Sequence, residues 1–271
     1  MSRVLREIWL FFWRDLTVVR TYRILFVVEI VEALFGTATL YYVARLVDSP
    51  SVQEALPQGG GYFAFSLVGF VFLDYLNAAL NNFDQSLMEA RDSGTLEHVL
   101  VTQTSLPVFL AGSSIYPFVS TTLRITVYIA WGAILFDFPL RHANWLAVIS
   151  VLLASLLAFS PLGILSSSYV LLFKRGNPVK WLFLGVTSLT SGTLFPVAVL
   201  PRGLQFLALL NPVTYSLDAM RAALLAGSDL ETLWRSLAAL LGFAAVLLPV
   251  SFAAFAWSLR RTKATGTLTH R

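Results

Sequence analysis

Cysteine is missing from this 271-residue chain. Its absence excludes disulfides, thiolate metal sites and cysteine nucleophiles together. Charge is scarce: 13% of residues are Asp, Glu, Lys or Arg, where soluble domains carry about a quarter. Lysine occurs only at Lys174, Lys180 and Lys263, and none follows a glycine. The chain therefore has no G-x-x-x-x-G-K-[ST] loop and cannot cradle nucleotide phosphates in that way. His98, His142 and His270 are scattered, with no carboxylates at ligand spacing, so no metal site is expected. No internal repeat is evident, and no nucleic-acid partner is expected. Arg3, Arg6, Glu7, Arg14 and Asp15 precede the first long apolar run, a poor match to a cleavable signal peptide.

What remains is apolar. Hydrophobic residues make up 57% of the chain, and the mean hydropathy is +0.73. Apolar runs of roughly 20 residues recur along its length, each long enough to cross about 30 Å of hydrocarbon as a helix. They are too long and too uniform for barrel strands, which alternate over about ten residues. The expected fold is all-α and polytopic, with about six transmembrane helices.

Residues 1–271 read as a single transmembrane domain: an interfacial helix to residue 21, a bundle over 22–259 and a tail over 260–271. In the first helix Leu5, Ile8, Trp9, Phe12, Leu16 and Val19 share one face, opposite Arg3, Arg6, Glu7 and Arg14. That pattern suits a helix lying in the headgroup plane. Spans are expected near Tyr22–Leu46, Tyr62–Gln85, Val108–Phe136, Trp145–Phe173, Trp181–Leu200 and Leu233–Leu259, with Pro161 a kink in the fourth. Residues 201–233 are half-apolar and punctuated by Pro201, Gly203 and Pro212. They read as a broken or re-entrant segment before the last helix.

Basic residues set the orientation. With about six spans, one side collects Arg3, Arg6, Arg14, Arg20, Arg23, Arg91, Arg175, Arg260, Arg261, Arg271 and every lysine; the other holds Arg45, Arg141, Arg202, Arg221 and Arg235. Positive charge stays in the cytoplasm. Both termini and the Glu89–Glu97 segment are therefore expected inside the cell, in a multi-pass protein of the cell (inner) membrane.

Polar groups within spans are costly and usually face protein or a water-filled cavity. In the second span Asp74, Asn77, Asn81 and Asp84 lie three, four and three residues apart, one helical face. They read as a pathway or dimer-facing wall, or as hydrogen-bonding glue between helices. Thr187 and Ser191 in the fifth span carry the same two readings. Arg124, in the middle of the third span, requires a carboxylate, with Glu32 and Asp74 at suitable depths.

Between the second and third spans lies Glu89-Ala90-Arg91-Asp92-Ser93-Gly94-Thr95-Leu96-Glu97. Physics alone leaves a docking element and a plain solvated loop open. The run from Glu89 through Gly94-Thr95-Leu96-Glu97 to Leu100 and Thr102 resembles the coupling segment of type-2 ABC exporter permeases. Gln103 departs from that pattern, which often has proline there. A second string, Pro196, Pro201, Leu204-Gln205, Asn211-Pro212-Val213-Thr214-Tyr215 and Asp218-Ala219-Met220-Arg221, resembles the outer segment that follows the fifth span in that family. The order and spacing of the two cover essentially the whole chain.

The resemblance implies a transport subunit, not an enzyme. It implies a second permease copy, identical or not, and a cytoplasmic ABC ATPase that carries ATP and magnesium; no cofactor is expected on this chain. Glu89, Arg91, Gly94, Thr95, Leu96 and Glu97 are the implied ATPase contacts, on a short cytoplasmic coupling helix. The competing class is an ion-coupled secondary transporter or channel using Glu29, Glu32, Asp74 and Arg124. It usually shows internal repeats. Few aromatics accompany the polar stripe, which favours a hydrophobic or amphipathic cargo over a glycan.

Overall fold

The computed structural model describes residues 23–47, 60–92, 106–173 and 177–264, with scattered positions between 6 and 17 and between 49 and 56. The described residues are helical throughout, apart from connecting turns. Among the described residues, five helices are long and apolar enough to cross a membrane. They are α1 (Arg23–Val47), α2 (Gly61–Asp92), α3 (Leu106–Leu135), α4 (Trp145–Phe173) and α8 (Leu230–Ala264). Between α4 and α8 lie three shorter helices: α5 (Pro178–Thr190), α6 (Arg202–Leu209) and α7 (Pro212–Leu225), with a 3₁₀ turn at Val197–Val199. Pro161 lies inside the continuous α4.

The hub is α2. Within its apolar window 72% of the residues are buried inside the protein, against 11% for α1 and 17% for α8. It packs on α1, α3, α4 and α7, while α8 lies chiefly along α4. Two glycines set the closest approaches. A Cβ on Gly163 of α4 would lie 2.2 Å from the Ala79 carbonyl oxygen of α2. A Cβ on Gly69 of α2 would lie 2.0 Å from the Thr193 carbonyl oxygen. No larger residue fits either place without moving backbone.

The fifth span is shorter than the sequence pattern predicts. It ends at Thr190, not Leu200. The reason is chemical. Thr190 turns its hydroxyl back to the Val186 carbonyl, Thr193 bonds to Ser188 O, and Gly192 adopts φ +78. Hydroxyls that compete for the backbone, followed by a glycine in the left-handed region, end a helix. The 13 residues of α5 rise about 20 Å at 1.5 Å per residue. Its start is bonded at the level of Asn81 and Asp84, and the chain just past its end is bonded at the level of Phe65. From Phe65 to Asp84, α2 rises about 28 Å at 1.5 Å per residue.

The chain then breaks as its prolines and asparagines dictate. Asn211 caps α7 by accepting from Val213 N at 3.1 Å, with Pro212 in the first helical position. Asn177 and Pro178 repeat the device at α5, where Asn177 accepts from Lys180 N at 3.0 Å. An asparagine cap followed by proline satisfies one free amide and removes another. Near the N-terminus the described residues between 6 and 17 are helical, and Phe12 lies 6.2 Å from the ring of Tyr116 on α3.

Candidate functional site

The polar face of α2 separates into two clusters, because α2 sits between different neighbours at its two ends. Near its middle, Asp74 accepts from Arg124 of α3 at 2.8 Å, both side chains being less than a third exposed. Glu32 of α1 is close enough to act electrostatically on Asp74. Arg124 Nε has no hydrogen-bond partner among the described residues. Asn77, one turn on, spends its amide on the Leu73 carbonyl of its own helix.

Two turns further on, the face is tied to α4 and α5. The buried Asp84 carboxylate accepts from Ser166 Oγ of α4 at 2.9 Å and from Asn177 Nδ2 at 2.8 Å. Asn177 also donates to Ser166 Oγ, and Lys180 Nζ donates to Asn81 Oδ1. The residue that caps α5 is thus the residue that holds it to α2. Hydrogen bonds to a charged acceptor are the stronger kind, about 1.5–3 kcal/mol each. Glu89 and Arg91 fall on the last turns of the same continuous helix. Gly94, Thr95, Leu96 and Glu97 lie outside the described residues.

At the opposite end a second knot joins α7 to α2. The fully buried Arg221 donates to Gly192 O at 2.8 Å, Thr193 O at 2.9 Å and Phe65 O at 2.9 Å. Its guanidinium stacks 3.4 Å from the Phe65 ring centre. Burial pulls its pKa down to about 9, opposed by the field of Asp218, so it remains a cation at neutral pH. Tyr62 adds a hydrogen bond to Leu194 O at 3.0 Å. Asp218 itself is exposed. Tyr215 bonds to Leu209 O at 3.0 Å across the α6–α7 break. Pro196 and Pro201 supply the extended residues that precede the 3₁₀ turn and α6. The fork of Arg221, with its several rigid donors, lets one side chain serve two carbonyls that the end of α5 leaves open and a third on α2.

Thr187 and Ser191 are buried within this single chain. Asn211 donates to Thr187 Oγ1 at 3.2 Å, and Ser191 Oγ has no partner among the described residues. The other face of α5 is open: Trp181, Leu182, Val186 and Leu189 are exposed, and nothing lies within 4 Å of where a Gly185 side chain would be. Sequence reasoning missed the Asp84–Ser166–Asn177 knot, since neither Ser166 nor Asn177 stands out in a serine-rich span or a basic turn. The asparagine-proline step at 177 was the one available signal. Among the described residues no group of His, Asp and Glu is arranged to hold a metal ion.

Residues 4–225 match the family described as ABC-2 type transporter. The inner membrane transport permease YadH of Escherichia coli K12 is 26% identical over 226 residues, covering 82% of this chain and 84% of that protein. The same organism's "Probable multidrug ABC transporter permease YbhR" is 26% identical over 172 residues, covering 63% of this chain and 46% of that protein.

Proposed function

The chain belongs to the ABC-2 type transporter family and is a membrane-spanning permease of an ABC transporter, and we propose that it is an exporter half driven by ATP hydrolysed on a separate cytoplasmic subunit. The missing phosphate loop supports that division of labour, with ATP and magnesium on the partner. The positive-inside pattern supports an orientation with both termini, Glu89 and Arg91 in the cytoplasm. In that frame Glu89, Arg91, Gly94, Thr95, Leu96 and Glu97 form the contact with the ATPase.

One observation carries the mechanism. The helix that ends in Glu89 and Arg91 runs without a break to Gly61, and Asp84 and Asn81 tie its inner end to the start of α5. A push on the coupling segment moves α2 as a rod and takes α5 with it. The bare apolar face of α5 supports a seam with a second permease copy. There Gly185 allows close approach, the packing that drives association in lipid. The part-exposed Asp74 and Arg124, with Asn77, would then border the passage between copies. Apolar span faces and YbhR's multidrug name together favour a hydrophobic or amphipathic cargo. An ion-coupled carrier has less support, since Arg124 and Asp74 are occupied by each other.

The test is co-purification. The full chain should bring down a nucleotide-binding protein from its own membrane. Replacing Gly94-Thr95-Leu96-Glu97 by a flexible Gly-Ser stretch should abolish the association and leave the permease monodisperse. Retained binding with undiminished ATP turnover would refute this docking site.

A further inference from the structure

Between α3 and α4 the bundle has a side opening that the transport reading does not use. The two helices follow one another in the chain but barely pack on each other; α2 lies behind both, with α7 beside α4. The result is an open-sided cavity of about 180 Å³, walled by Ile125 and Thr126 of α3 and by Trp145 and Ile149 of α4, with Phe72 and Met220 as its floor. Trp145 and Ile149 are exposed at the mouth, while Phe72 and Met220 are buried from the outside.

The interior of the wall is apolar. Its hydroxyls are those of Thr122 and Thr126, each donating to a carbonyl of its own helix at 2.8 Å, those of Phe118 and Thr122, and the one other polar group is the Trp145 indole N–H at the mouth. A wholly apolar cavity of about 150 Å³ stays dry and accepts hydrocarbon. An empty one forfeits dispersion contacts along its whole lining. This cavity opens sideways between two membrane spans, where the medium is acyl chain. Its mouth lies along the first two turns of α4, close to the membrane surface. Trp145 sits there at the helix start, the usual place of an interfacial tryptophan. Exposed Arg141 lies four residues before it, in the turn that leads into α4, and places a cation beside the mouth.

We propose that the groove between α3 and α4 is a binding site for one acyl chain of a bilayer phospholipid, with the phosphate lying toward Arg141. The site depends on membrane embedding alone, so it stands or falls independently of the ATPase and the cargo. It is built from helices held together by α2, and a seated chain would complete the packing that α3 and α4 do not make with each other.

The experiment uses the full chain in phosphatidylcholine nanodiscs doped with a phosphatidylcholine that carries a diazirine midway along one acyl chain. After irradiation, labelled peptides are mapped by mass spectrometry. The expected result is labelling of Met220 and Phe72, which bulk lipid does not reach, besides labelling of the exposed face of α1. Thr126→Trp, which plugs the mouth from a lipid-facing position, should cut the floor labelling about tenfold and leave α1 unchanged. Ile149→Trp plugs the same mouth from α4 and gives an independent reading where the first variant is not monodisperse. Absence of floor labelling in the parent chain would overturn the proposal, as would labelling undiminished by a folded plug variant. A floor labelled by a small diazirine-bearing hydrophobic amine, but not by the phospholipid, would overturn it too, marking a cargo pocket instead.

Discussion

Arg221 shows how a charged residue earns a place in an apolar protein. Three backbone carbonyls converge on it, two of them in the segment where α5 stops being helical. Removing the guanidinium takes the donor from the Gly192 and Thr193 carbonyls, and each buried orphan costs about 1–3 kcal/mol. Arg221→Met should therefore lower the unfolding free energy in detergent by about 2–6 kcal/mol. Arg221→Lys, with no fork, should recover only part of it. Arg124 is a different case. Arg124→Leu strands the part-exposed Asp74 between helices, a loss below the roughly 3 kcal/mol of a fully buried pair broken on one side. The double variant with Asp74→Asn should regain most of the stability in a double-mutant cycle. A folded Arg124→Leu protein with full stability but no transport would assign the pair to the passage instead.

Elements were legible to different depths. The long spans announce themselves through length and hydropathy: α4 has the bounds that its apolar run predicts, while α2 runs on to Asp92 and α8 spans Leu230–Ala264, beyond theirs. The boundary of α5 was not legible. Thr187 to Thr193 reads as apolar enough to continue, and only the hydroxyl-to-backbone bonds and the positive φ of Gly192 end it. The polar stripe was legible as a face, but not its division, because helical periodicity does not say which neighbour lies opposite each turn. Thr187 and Ser191 look like Asp74 in sequence, yet they are buried inside one chain. Close packing gives a sharp test of the observed geometry. Gly69→Ala and Gly163→Ala put a methyl group into a carbonyl oxygen, and overpacking costs about 1–3 kcal/mol. Gly185→Ala meets nothing within this chain. It should leave monomer stability unchanged and weaken only association between copies, measured by the monomer–dimer equilibrium in detergent.

At the scale of the molecule, two knots hold one rod. Arg221 ties the chain just past α5 to the start of α2, and Asp84 with Asn177 ties the start of α5 to the other end of α2. Between them α2 and α5 are tied into one unit, which under the proposed coupling would move together. Cutting the inner knot with Asp84→Ala and Asn81→Ala should leave ATPase binding intact while transport per ATP falls. The account rests first on which side of the membrane that segment lies. The chain has no native cysteine, so Thr95→Cys carries a single thiol that an impermeant maleimide can find. Labelling in inside-out vesicles but not in intact spheroplasts, blocked when the ATPase partner is bound, is the predicted result. Labelling from the outer face of intact spheroplasts would contradict the account.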